Sequence, residues 1–202
     1  MNKTINELSE NYKRYKWFFT SSNKLVIGGK SAEQNDSLIS LLKSQEKDFI
    51  VMHTSSPGSP FSVIVSYIEN VTKSDIKECA VFTACFSQSW KKGKKKESVD
   101  IFRLSQLTKK HGMKTGLWLV LGEIERVSVD LSLVLTAQKG ALRAVPKESA
   151  AKKDVFIGLV PGKEDKKKII PKLSPLLKKK FSENDFLSAL PSGGIKLVKT
   201  IK

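Results

Sequence analysis

The most constraining stretch of this chain is Asp48-Phe-Ile-Val-Met-His53-Thr-Ser-Ser-Pro-Gly-Ser-Pro60-Phe-Ser-Val-Ile-Val-Ser66. Asp48–His53 and Phe61–Ser66 are short, rich in Val, Ile and Phe, and bounded by Pro, Gly and Ser, as β-strands are. They read as two strands joined by a tight reversal at Pro57-Gly58-Ser59-Pro60. The two prolines remove backbone donors, while Gly58 permits a positive φ and close approach to a ligand. A loop of small side chains beside the His53 imidazole suits a phosphate or a base. It equally suits a self-contained hydrogen-bonded turn in which His53 is structural.

With 202 residues, the chain can bury roughly 70% of its unfolded surface, so one domain with a small appendage is expected. The charge narrows the partners. The chain carries 36 basic and 20 acidic residues, a net +16, and nearly all the cations are Lys. Such a field attracts RNA, DNA or an anionic surface. Lysine contacts phosphate as a point charge, which favours recognition of backbone and shape over duplex base reading. No apolar run approaches the roughly 20 residues that span a bilayer, and Met1–Glu7 is not a signal peptide, so no membrane partner is expected. Cys79 and Cys85 share one apolar segment at a spacing that fits neither a zinc site nor an easy disulfide, which indicates core thiols in a reduced, cytoplasmic protein.

In chain order, Asn6–Lys16 reads as a polar helix, and Tyr15–Thr20 and Lys24–Gly28 as a hairpin around Ser21-Ser22-Asn23. Ser31–Lys43 has helical spacing with Ser31 as N-cap. Gly29-Lys30-Ser31 is not a phosphate-binding P-loop, because the glycine required five residues before Gly29 is Lys24. Ser74–Trp90 is apolar nearly all round in its second half and is expected to be one buried helix, stopped by Gly93 in the run Lys91-Lys92-Gly93-Lys94-Lys95-Lys96. Ser98–Leu104, Thr115–Gly122 and Arg126–Thr136 read as further strands, and His111 as a surface residue. Ala137–Asp154 reads as a connector and Val155–Val160 as a strand. Pro171 and Pro175 break any long helix, Ser182–Leu190 forms a short capped helix, and Gly194–Lys202 adds a strand.

Five ordered pieces carry a resemblance: Tyr15-Lys-Trp-Phe-x-Thr-Ser, Gly29-Lys-x-Ala32-x-x-Asn35, His53-Thr-x-x-x-Gly58-Ser-Pro60, Ser87-x-x-Trp90 and Gly116-x-Trp-x-x-x-Gly122. Together they resemble the NFACT-R domain, the RNA-binding module of the ribosome-quality-control family. The resemblance implies an α+β fold with a mixed or antiparallel sheet and packed helices over residues 1–136, followed by a small basic α/β extension over residues 137–202. It implies RNA as partner, tRNA or ribosomal RNA, with the large ribosomal subunit as platform, and no catalysis or cofactor. Val155–Lys163 is similar to a strand-Pro-Gly-Lys extension of archaeal members. The sequence departs from the family at Ser55, often acidic in relatives, and around Gly122, where Leu121 and Glu123 stand instead of basic residues. The chain is too short for the family's N-terminal domain and coiled coil, so a stand-alone module without tail synthesis is expected.

The RNA-binding reading places Lys30, Asn35, His53, Gly58, Ser59, Trp90, Lys91, Lys92, Lys94, Lys95, Lys96, Lys110 and Lys114 at the ligand, with phosphates on lysines and a base stacked on Trp90 if that ring is exposed. One alternative is an RNA-processing or RNA-modifying enzyme using His53 with Ser55 or Ser59. No carboxylate lies beside His53 in sequence, and no metal-ligand spacing occurs. Another is a protein-binding adaptor on the ribosome. The clusters at Lys163, Lys166–Lys168 and Lys178–Lys180 either extend the basic surface or simply solubilise.

Overall fold

The computed structural model describes residues 3–45, 47–150, 157–177 and 179–199. The first half alternates helix and strand: α1 (Lys3–Asn11), β1 (Lys16–Phe19), β2 (Leu25–Gly28), α2 (Ala32–Lys43), β3 (Ile50–Thr54), β4 (Ser62–Ile64), α3 (Lys73–Cys85), α4 (Gln88–Lys91) and β5 (Lys96–Arg103). Two short strands, β6 (Leu107–Thr108) and β7 (Leu119–Val120), precede β8 (Glu125–Asp130) and β9 (Leu133–Gln138). The chain closes with β10 (Ala141–Val145), β11 (Ile157–Glu164), α5 (Lys166–Leu173), α6 (Glu183–Ala189) and β12 (Ile195–Lys199). Six strands form one antiparallel sheet in the order β1-β2-β4-β3-β5-β8, and β10-β9-β11-β12 form a second, also antiparallel. The fold is α+β.

Strand alternation sorts the side chains into two cores. On one face of the larger sheet, Trp17, Ile27, Val51 and Val63 pack with Leu8 of α1 and Leu38, Ile39 and Leu42 of α2. On the other, Phe18, Val26, Met52 and Ile64 meet Cys79, Phe82 and Cys85 of α3. That second core continues through Leu133, Leu135 and Leu159 of the smaller sheet to Ile169 and Phe186 of α5 and α6. Helix α3 lies between the two sheets, which explains why its sequence is apolar on nearly every side. Both cysteines are buried and unpaired in this core, where burial pushes their thiols well above the ordinary range.

Buried polar groups tie the layers together. Asp75 caps α3 through Thr72 and also accepts from the hydroxyls of Thr20 and Ser22 in the β1–β2 turn. Glu78, one turn on, accepts from Ser21 and from the Ser149 hydroxyl. The Gln138 amide accepts from the Phe19 N–H and donates to the Phe19 carbonyl, each at 2.8 Å, so the smaller sheet clasps the outer edge of β1.

The structure corrects several sequence expectations. Ser74–Trp90 is two helices, because the Ser87 hydroxyl donates to the Ala84 carbonyl and accepts from the Ser89 N–H, ending α3 and capping α4. Arg126–Thr136 is two strands in different sheets, interrupted at Leu131-Ser132. Part of the expected connector is β10, reached from β9 by the turn Lys139-Gly140, where both residues have positive φ as such hairpins require. The second sheet begins at Leu133, so a division at residue 136 cuts through β9. Thr115–Gly122 forms a strand only at Leu119–Val120. As expected of a segment with Pro171 and Pro175, no long helix forms there: α5 has eight residues and ends at Leu173. Val155 lies outside the described residues, as does Lys178. No helix among the described residues is long and apolar enough to cross a membrane.

Candidate nucleic-acid interface

The β3–β4 loop is closed by its own side chains. The Thr54 N–H donates to Ser59 Oγ at 2.9 Å, that hydroxyl donates to the Pro60 carbonyl at 3.1 Å, and Thr54 Oγ1 donates to the Ser56 carbonyl at 2.6 Å. Gly58 has φ +102°, and its carbonyl accepts from the Gln88 N–H at 2.9 Å. The break between α3 and α4 thus docks α4 against this loop. A Cβ on Gly58 would lie 2.5 Å from Gln88 Cγ, so both conformation and space demand glycine.

His53 is half-buried beside the Phe61 ring, with centroids 4.7 Å apart. Nδ1 lies 2.7 Å from the Thr54 carbonyl. A carbonyl can only accept, so Nδ1 carries the proton. Burial lowers the His53 pKa below its ordinary 6.5, opposed by the Thr54 carbonyl, Asp100 and the Ser59 carbonyl. The imidazole is therefore neutral near pH 7. Asp100 is its cross-strand partner on β5, a carboxylate that sequence proximity does not disclose. Asp100 is committed elsewhere: Arg126 donates to it from Nε at 2.6 Å and Nη2 at 3.2 Å, and Ser55 Oγ at 2.7 Å.

These residues border a cleft of about 710 Å³. One wall is the Gly29-Lys30-Ser31 corner that opens α2, where Ser31 Oγ accepts from the Gln34 N–H as expected of an N-cap. Asn35 is buried, and its Oδ1 accepts from the Phe61 N–H at 3.1 Å, which pins α2 to the β3–β4 loop. Against the same helix, Lys114–Trp118 folds over Ala32, held by Trp118 Nε1 donating to Asp36 at 2.7 Å and by an ion pair from Lys109 to the same carboxylate.

Seven sequence-predicted residues line this cleft: Lys30, Asn35, His53, Gly58, Ser59, Lys91 and Lys114. Asn35 and Ser59 spend their oxygens on internal hydrogen bonds. Trp90 is misplaced by the sequence reading, since its ring is 1% exposed and its N–H donates to the Gly194 carbonyl, which removes it as a stacking platform. Lys94 and Lys96 pair with Glu97 and Asp130, and neither they nor the exposed Lys92, Lys95 and Lys110 line the cleft. The sequence reading missed Lys16, which does. The register signal was available, because a hairpin closing at Ser21–Asn23 sets Lys16 opposite Gly28, next to Lys30. Burial, then the like charges of Lys166, Lys30 and Arg143, bring the Lys16 pKa down to about 8. Among the described residues, Lys16, Lys30, Lys91 and Lys114 have no carboxylate within ion-pair distance, and the cleft's carboxylate, Asp100, is held by Arg126.

The family model for the NFACT protein RNA binding domain matches residues 14–122, the span that supplies every lining residue of this cleft but Ser192. The chain belongs to that family. Over 210 aligned positions, 98% of the chain, it is 28% identical to the archaeal Rqc2 homolog aRqcH of Methanocaldococcus jannaschii, and it spans 31% of that relative's length. The solved C-terminal part of the fibronectin/fibrinogen-binding protein of Streptococcus suis matches 58% of this chain and 44% of its own at 19% identity, with a TM-score of 0.49.

Seen as an NFACT RNA binding domain, the chain uses its motif residues largely to hold the cleft's walls. A Cβ on Gly29 would lie 2.2 Å from Asn35 Oδ1, and one on Gly116 would lie 2.7 Å from the Ala32 Cβ. Small residues at these positions let α2 meet both the β3–β4 loop and the Lys114–Trp118 segment. Thr20 and Ser21 anchor the β1–β2 turn to α3, and Ser87 sets α4 against Gly58.

Proposed function

We propose that this chain binds RNA without transforming it, as part of ribosome-associated quality control in the cytoplasm. The observation that carries the reading is the cleft lined by Lys16, Lys30, Lys91 and Lys114, none of which is ion-paired among the described residues, while the cleft's carboxylate, Asp100, is taken by Arg126. Unpaired cations around a neutral imidazole and a glycine loop suit a phosphodiester backbone. Exposed Lys92, Lys95 and Lys110 extend the positive field outside it. The family description and the Rqc2-type relative support RNA as the ligand, and tRNA or ribosomal RNA on the large subunit is the partner we propose.

The catalytic alternative has weaker support. A nucleophile needs its base within hydrogen-bond reach. Ser55 Oγ donates to Asp100 and Ser59 Oγ to the Pro60 carbonyl, rather than to His53.

The test is fluorescence anisotropy of labelled tRNA and of duplex DNA with matched charge, across a salt series, on the chain and on Lys30→Ala, Lys91→Ala and Lys114→Ala variants. The reading expects a tRNA preference that survives rising salt, with each lysine variant shallower by about one in the log–log salt slope. Equal binding of both polymers, unchanged by the three substitutions, would overturn it.

A further inference from the structure

Four cations distant in sequence converge beside β1. Lys16 pairs in register with Gly28, which sets it next to Lys30 at the corner before α2. Its ammonium lies 4.9 Å from the centre of the Phe86 ring, inside the cleft. The smaller sheet contributes from the far side, because the Gln138 clasp on Phe19 brings β10 to the β1 edge. There the Arg143 guanidinium sits 4.7 Å from the Trp17 ring and donates to Ser188 Oγ at 3.1 Å. Lys166, opening α5, donates to the Leu190 carbonyl at 3.0 Å, two residues before Ser192 of the cleft wall.

Lys16, Arg143 and Lys166 are each half-buried. None of the four cations has an ion-pair partner among the described residues. Opposing charges act on two of the four, Asp165 on Lys166 and Asp185 on Arg143. Neither acid acts on Lys16, whose electrostatic neighbours are all positive. Gathering like charges into a half-buried place is unfavourable without an anion. The side chains of Lys16, Arg143 and Lys166 are each held from one side by an aromatic face or a carbonyl, which orders the group without neutralising it, while Lys30 is exposed beside them. We propose that Lys16, Lys30, Arg143 and Lys166 form one phosphate subsite at the junction of the two sheets, contiguous with the cleft, with Lys16 on β1, Arg143 on β10, and Lys30 and Lys166 from the segments that open α2 and α5. Assigning that phosphate to RNA rests on the function proposed above. The smaller sheet then supplies ligand contacts as well as packing.

The experiment labels the lysines by reductive methylation with carbon-13, which keeps their charge, and follows each resonance through a pH titration. Inorganic phosphate is the first probe, then short single-stranded RNAs with and without a terminal phosphate. The subsite predicts that phosphate moves the Lys16 midpoint upward from about 8, because a bound anion favours the charged amine. Lys16→Met and Lys166→Met should each weaken phosphate binding about tenfold, the loss of one charge-assisted contact. The same shift with both RNAs identifies an internal phosphodiester; a shift with only the phosphorylated RNA identifies a chain end. Either supports the subsite. Circular dichroism confirms that the variants fold, and Lys172→Met, whose ion pair with Glu164 lies outside the cleft, is the control that should bind as the parent chain does. A Lys16 midpoint unmoved by phosphate, or unaltered binding in both variants, overturns the subsite. If tRNA still binds in that case, the RNA-binding reading stands alone. If phosphate moves Lys16 but no RNA binds, that reading falls and the anion site remains.

Discussion

The indole N–H of Trp90 donates to the Gly194 carbonyl at 3.1 Å, joining α4 of the family domain to the loop before β12. The ring is a strut between the sheets. Trp90→Phe should cost about 0.5–1.5 kcal/mol, one hydrogen bond, because the Gly162 N–H still donates to that carbonyl at 3.2 Å, and Trp90→Ala about 3–5 kcal/mol by leaving a cavity, both read by urea unfolding. The folded Phe variant should bind RNA as the parent does. A large loss of RNA affinity with unchanged stability would restore the stacking role that burial excludes.

Gly58 is constrained in two separable ways, its φ of +102° and the approach of Gln88. Gly58→Ala should destabilise by about 1–3 kcal/mol, the usual cost of a residue forced into such a conformation. In a Gln88→Ala background the 2.5 Å approach of Cγ is removed, leaving the Cβ at 3.3 Å and the backbone strain. The penalty should therefore shrink without vanishing, and a cycle of unfolding measurements reads both parts.

Lys16 makes stability depend on pH in a defined direction. Its folded pKa is depressed to about 8 from an ordinary 10.5, so the unfolded chain holds the proton more tightly. The penalty is fully present below about pH 8 and is relieved as pH rises toward 10.5. Without phosphate, Lys16→Met should be the more stable form at pH 7, by up to about 3 kcal/mol, with the difference closing across that window. Parallel denaturation curves that keep a constant gap would contradict this.

Asp36 holds the Lys114–Trp118 wall. Burial pushes its pKa up, but the Lys109 ammonium, the Gly116 N–H and the Trp118 indole outweigh that and hold it below the ordinary carboxylate value. The tether is thus intact above the unfolded pKa and lost as pH falls through the folded one. Asp36→Ala should release the segment at a cost of about 1.5–3 kcal/mol, the range for hydrogen bonds to a charged group. Faster amide exchange over residues 109–118, with little change in β3, is the signature; unchanged exchange there would refute the tether.

What the sequence discloses is local. The Ser31 cap, the Ser182–Asp185 capping box and the β1–β2 hairpin depend on residues a few positions apart, and all are legible. The move from β8 to β9 is not, because Leu131-Ser132 carries no glycine or proline to mark the change of sheet. β10 hides behind a polar turn and Arg143, although Leu142, Ala144 and Val145 are buried as a strand requires.

The same divide runs through the site. The glycine loop and Lys30, Lys91 and Lys114 are visible as motif or charge, and the fold brings them together. Trp90 misleads because an aromatic before a lysine run looks the same whether it faces solvent or core. Lys16, Arg143 and Lys166 become neighbours only through the clasp between β1 and the smaller sheet.

That clasp has a consequence for self-association. A border strand with free amide groups is a template on which another chain can add. Gln138 occupies both backbone groups of Phe19, and Lys139 and Arg143 cover the Phe19 and Trp17 rings. A fragment ending before Gln138 would bare that border together with its aromatic rings. The C-terminal sheet is thereby a guard against aggregation, and the domain's boundaries for any practical fragment extend past the residues the family model matches.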